Sequence, residues 1–130
     1  MQDSTDPGFA ARIRALVHRG KVIMLIDFSH AEAPEMMTML DEVQQQISAE
    51  PEKSVLTLAD FTGAHVDRNV AARIKEVLVL DRPFVKRSAW VGTDSVPHVF
   101  FENFKSFSQR DFPTFTSREE AMEWLVKEAA

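Results

Sequence analysis

Val22-Ile23-Met24-Leu25-Ile26-Asp27-Phe28-Ser29-His30 is the stretch whose reading decides the fold. Its first five residues are apolar on both faces and give way abruptly to polar ones. A central parallel strand reads this way when helices cover both of its sides. Ser54–Ala59 (SVLTLA) ends in the same manner, at Asp60-Phe61-Thr62-Gly63. Ser88–Val91 (SAWV), cut by Gly92, reads as a third strand, and Phe112–Phe115 as a short last one. The segments between them carry helical periodicity. Met36, Leu40, Val43 and Ile47 recur at helical spacing with Met39 beside them, behind a Pro34 suited to a first turn. Val70, Ile74, Val77 and Leu78 form a second such face, which Pro83 brings to a stop. Asp94 or Ser95 is placed to cap a third helix with Pro97 in its first turn and Phe100, Phe104 and Phe107 facing the sheet. Ser117-Arg118-Glu119-Glu120 is a capping box ahead of Ala121, Met122, Trp124 and Leu125.

Helices are therefore expected at about 34–49, 68–81, 95–108 and 117–129. Upstream, Phe9–Val17 fits a helical face and a strand alternation equally, and the hairpin-like His18-Arg19-Gly20-Lys21 favours the strand. A hairpin followed by alternating helix and strand implies right-handed crossovers and a mostly parallel sheet. The expected class is α/β, with four or five strands and four helices. Residues 1–8 are polar and expected to be disordered, leaving 9–130 as a single domain.

Composition narrows the function. Hydrophobic residues make up 45% and charged residues 27% of the 130, an ordinary globular balance. With no cysteine, disulfides, thiolate metal sites and cysteine nucleophiles are excluded. Twenty acidic against 15 basic residues leave a net charge of −5, which argues against nucleic acid as a partner. Lys86, Arg87, Arg82, Lys105 and Arg110 are scattered and read as solvated surface. No apolar run is long enough to cross a bilayer and no signal peptide is evident, so a cytoplasmic location is expected. The four glycines, Gly8, Gly20, Gly63 and Gly92, leave no material for a phosphate-cradling loop or a dinucleotide fingerprint. His18, His30, His65 and His98 follow no zinc-binding spacing. Neither a cofactor nor a metal is expected.

Four strings, Leu25–Ser29 (LIDFS), Lys53–Gly63 (KSVLTLADFTG), Pro83–Val91 (PFVKRSAWV) and Phe115–Leu125 (FTSREEAMEWL), resemble the SpoIIAA-like or STAS superfamily in their order and spacing. The resemblance runs from about Lys21 to Val126 and points to the single-domain bacterial branch of that superfamily. It implies an opening hairpin and a regulatory rather than catalytic role. Regulators of this type carry a serine just after an aspartate at the start of the second helix, where a partner kinase phosphorylates it. Asp67 matches the aspartate here, but Arg68 and Asn69 stand where the serines would be. Arginine accepts no phosphoryl group, so the switch is expected to be absent.

Open parallel sheets bind ligands beyond the carboxyl ends of their strands. The repeated Asp-Phe-Ser/Thr therefore puts Asp27, Ser29 and His30 beside Asp60, Thr62 and His65 on one edge. Two carboxylates with a histidine nearby suit a divalent cation or acid–base work. The alternative is structural: Asp and Ser/Thr after a strand tie down loop N–H groups. Arg68 and Arg73, near the second helix's start, are the basic residues placed to meet an anion there.

Phe100, Phe101, Phe104 and Phe107 on one short helix are more aromatic surface than one buried stripe needs, and exposed aromatic clusters mark contact sites. Met37, off the Met36–Leu40 stripe, adds an adaptable apolar side chain. Phe101, Phe104, Phe107 and Met37 are thus candidates for a homodimer interface or an apolar ligand. The leading expectation is a non-catalytic interaction or regulatory module, dimeric, recognising a protein or a small apolar or anionic ligand. A carrier of a lipid-like molecule comes second, and an enzyme or metal site using Asp27, Asp60 and His30 third.

Overall fold

The computed structural model describes residues 12–110 and 112–127. The expectation that residues 1–8 are disordered, and the part of the first strand at residues 9–11, lie outside the described residues. Strand β1 (Ile13–His18) and strand β2 (Lys21–Asp27) form the opening hairpin. Arg19 and Gly20 both have positive φ, 51° and 79°, so the chain reverses in a two-residue turn whose twist matches the strands. Helix α1 (Ala33–Ser48), strand β3 (Val55–Asp60), helix α2 (Arg68–Asp81) and strand β4 (Val85–Val91) follow. Helix α3 (His98–Ser108), strand β5 (Thr114–Phe115) and helix α4 (Arg118–Leu125) complete the order.

The sheet runs β1-β2-β3-β4-β5, with β1 antiparallel to β2 and every other pair parallel. This is the α/β architecture expected, with five strands and four helices among the described residues. The three crossovers share one hand, so α1, α2 and α3 lie on the same face and only α4 covers the other. Alternation along each strand divides the core accordingly. Val55, Thr57, Ala59 and Phe61 point beneath α1–α3, while Leu56, Leu58 and Asp60 point toward α4. Val22 departs from the continuous burial read for β2: it is 60% exposed near the hairpin tip, opposite the exposed Val17.

Four boundaries move. α4 ends at Leu125 rather than at 129, with Val126 as its cap residue. β4 begins at Val85 rather than Ser88, because a bulge between Val85 and Arg87 brings the upstream residues onto β3. β5 contains only Thr114 and Phe115 of the expected Phe112–Phe115. α3 starts at His98, not 95: Thr93–Ser95 form a separate 3-10 turn, and Pro97 sits outside the helix as its extended N-cap residue. The face expected for α3 is also rotated. Phe104 and Ser108 are its buried residues, Phe100 and Phe101 are half-buried, and Phe107 is 59% exposed.

Candidate functional site

Three loops leave the carboxyl ends of β2, β3 and β4 side by side. Phe28 N–H donates to Asp60 C=O (2.9 Å), His30 N–H to Thr62 C=O (2.8 Å) and Phe61 N–H to Val91 C=O (2.9 Å), carrying the sheet's pairing into the loops. Within each Asp-Phe-Ser/Thr the two faces divide the labour. Phe28 and Phe61 turn under α1–α3 with tilted rings 5.1 Å apart, and the row continues through Trp90 (4.6 Å, tilted) to Phe112, which stacks on Trp90 at 4.7 Å. The aspartates turn the other way and fold back on their own loops. Asp27 Oδ1 accepts from Ser29 N–H (3.0 Å) and Ser29 Oγ (2.5 Å), and Asp60 Oδ1 from Thr62 N–H (2.9 Å) and Thr62 Oγ1 (2.7 Å).

One cation joins the two carboxylates. Arg118, the first residue of α4, donates to Asp60 Oδ2 through Nε and Nη2 (2.8 Å each) and lies 3.3 Å from Asp27 Oδ1 through Nη2. Ser117 holds it there by capping α4, accepting from Glu120 N–H at 3.2 Å. Burial disfavours the charge on Asp27, yet the Ser29 hydrogen bonds and Arg118 outweigh it and hold that carboxyl below its ordinary value. Arg118 is in turn held more firmly protonated: its bonds to Asp60 and Asp27 overcome the burial that opposes its charge. Arg12 adds a second clamp, donating to the carbonyls of Asp27 (2.8 Å) and Ser29 (2.9 Å) and pairing with Glu35 (3.2 Å).

Asp27, Ser29, Asp60 and Thr62 are thus brought together as the sequence implies. The histidines do not join them. His30 packs over Gly63, where an added Cβ would stand 2.3 Å from Nδ1 of that ring. His65 pairs instead with Glu32 at 3.1 Å, both side chains largely exposed. Nor do Arg68 and Arg73 act together, since Arg73 is bound to Asp41 (2.8 Å) and Glu76 (3.3 Å). Asp67 caps α2 by accepting from Val70 N–H (2.8 Å), and Arg68 and Asn69 are exposed in the helix's first turn. No group of three or more His, Asp or Glu placed to hold a metal exists among the described residues.

An open polar cavity of about 350 Å³ lies beside the Arg118 cluster, lined by Asp60, Thr62, Thr93, Asp94, Thr116 and Arg118 among others. Gly92 is obligatory at its floor: φ is 69°, and a Cβ there would meet Thr62 N at 2.4 Å. The aromatic candidates lie elsewhere and do not share a pocket. Phe104 is fully buried, a core residue rather than a contact surface, and Phe101 meets Trp90 edge-on at 5.5 Å. Met37 is half-buried against the core on α1. Phe107 alone of the four is exposed, with Lys75 Nζ 4.8 Å from its ring centroid.

Two charged residues are drawn into the core away from this edge. Asp81, at the end of α2, is 3% exposed, and Arg110, read as solvated surface, donates to Leu78 C=O (3.1 Å) and to Ser88 Oγ. Arg87 is not free surface either, donating to Trp124 C=O at 2.8 Å. No family model matches the chain, nor does any curated protein or solved structure match it significantly. No helix among the described residues is long and apolar enough to cross a membrane.

Proposed function

We propose that the chain is a non-catalytic binding module of the SpoIIAA-like, STAS type, and that it self-associates through the apolar end of α2 and α3. The observation that carries this reading is Phe107, 59% exposed, with Val79 and Leu80 at 41% and 49%. Lys75 reaches over the Phe107 ring, and Val79 follows one turn further along the same stripe of α2. Full burial of a side chain of this kind contributes roughly 1.5–3 kcal/mol, so a partner covering three of them gains substantially. The competing readings are weaker on physical grounds. Asp27 Oδ1 and both oxygens of Asp60 are committed to loop N–H groups, hydroxyls and Arg118, and no histidine among the described residues stands beside them to complete an acid–base pair or a ligand set. A lipid tail needs a large apolar cavity. The cavity in the core is about 50 Å³, whereas roughly 150 Å³ is needed even for benzene.

The resemblance to STAS regulators supports an interaction role, and the sequence at Asp67-Arg68-Asn69 separates it from their serine switch. Sedimentation equilibrium on the full chain tests the proposal. Wild type is expected to be a dimer at micromolar concentration, with Phe107→Glu and Leu80→Glu monomeric and unchanged in far-UV circular dichroism. A wild-type monomer throughout the concentration range would overturn it.

A further inference from the structure

The main core is polar at one point. Thr57 Oγ1 and Ser88 Oγ, neighbours on β3 and β4, share a hydrogen bond of 2.7 Å beneath α2. Arg110 reaches them because Gln109 ends α3 in the left-handed region (φ 55°) and turns the chain back. Its Nη2 donates to Ser88 and its Nη1 to Leu78 C=O, one of the carbonyls that the end of α2 leaves free. Asp81 lines the same cavity as Thr57, Ser88 and Arg110. Asp81 Oδ1 is the one buried side-chain oxygen or nitrogen among the described residues that lacks a partner. No ion pair closes directly between it and Arg110, although the two face one small space.

We propose that this space is a hydration site built into the core, in which water bridges Asp81 Oδ1 to the guanidinium of Arg110. Size selects the guest. The cavity holds about 50 Å³, and a water molecule occupies about 30 Å³ in the liquid, so one or two fit and a larger organic molecule does not. Chemistry selects it as well. The guest must donate to a carboxylate and accept from a guanidinium, which an anion or a metal cation cannot do together and water does. The hydroxyls of Thr57 and Ser88 bring the polar groups to four, and a buried water uses two to four.

The bridge links the centre of the sheet, the end of α2 and the segment after α3. The remaining walls are neutral: α1 contributes only Leu40, Val43 and Ile47, and β3 and β4 only hydroxyls and apolar side chains. Arg110 and Arg73 are the cations that favour a charged Asp81, while Arg82 acts on Arg110.

The test is a crystal structure of the full chain at a resolution that shows ordered water, with Asp81→Leu solved alongside. Density within hydrogen-bond distance of both Asp81 Oδ1 and an Arg110 nitrogen is expected in the wild type and lost in Asp81→Leu. A dry cavity, or Asp81 and Arg110 in direct contact, would overturn the proposal, as would density that persists in Asp81→Leu. If Asp81→Leu does not fold, the wild-type map alone decides between these outcomes.

Discussion

The two sides of this sheet treat opposite charges in contrasting ways. At the carboxyl edge Asp27, Asp60 and Arg118 meet directly: Asp60 splits its two oxygens between Arg118 and its own loop, and Asp27 Oδ1 takes both its loop and Arg118. Under α2, Asp81 and Arg110 are more deeply buried and do not meet. The first arrangement is cheap because its geometry is complete and water still reaches Arg118. The second leaves a carboxylate in a medium that disfavours its charge, so protonation becomes the alternative to ionisation. A short edge-to-loop turn places a charge against its partner; a helix end pointing into a core does not.

The largest effect expected from this contrast is a pH dependence. Burial pushes the Asp81 pKa up to about 7 from 3.8, against the opposing pull of Arg110 and Arg73. The folded chain therefore binds a proton that the unfolded chain has already released between those values. Stability from this group is full below about pH 4, falls as pH rises toward 7, and levels off above it. A rise of this size corresponds to on the order of 4 kcal/mol. Urea unfolding from pH 4.5 to 8 is expected to show that decline in the wild type and to lose it in Asp81→Asn. A slope that survives the substitution would break the contrast.

Arg118→Leu comes next. It removes the shared partner of two carboxylates and is expected to cost about 1.5–3 kcal/mol at pH 7, the range for charged hydrogen bonds. Asp27 gives the sign of the pH effect. Its folded pKa is depressed below 3.8, so the stabilisation is present above that value and fades as pH falls through it. The two clusters should thus respond to acid in opposite directions, which urea unfolding of Arg118→Leu against wild type at pH 7 and pH 3.5 would sharpen. The smallest effect belongs to Glu123, which His18 Nε2 (2.7 Å) and Arg19 Nε (2.9 Å) approach from the hairpin turn. These groups are solvated, and exposed pairs contribute little. Glu123→Gln is expected to leave the unfolding midpoint unchanged within error.

Much of this was legible in the sequence. Short apolar runs ending in Asp-Phe-Ser/Thr are parallel strands because both faces are covered, and Ser117 caps α4 by the same chemistry that makes it recognisable. The edge pairing of Asp27 with Asp60 follows from their matching places at two strand ends. Arg118 was hidden, since it lies 58 residues from Asp60 and reads locally as one member of a capping box. Arg110 was misread for a related reason: a charged residue between a helix and a strand looks solvated until a left-handed turn at Gln109 sends it inward. The rotated face of α3 has a different origin. Its helix starts three residues later than expected, and packing chose Phe104 and Ser108 over Phe107 for the interior.

The central claim is that the strand-end aspartates and Arg118 hold the fold together. Urea unfolding of Asp60→Asn against wild type at pH 7 tests it most directly. The amide keeps the shape and the Thr62 contacts but loses the charge facing Arg118. A loss of about 2 kcal/mol is the expected result, in the range for a charged hydrogen bond within a partly buried pair. Unchanged or increased stability would contradict it, because a carboxylate kept for function rather than structure is commonly neutral or costly to the fold.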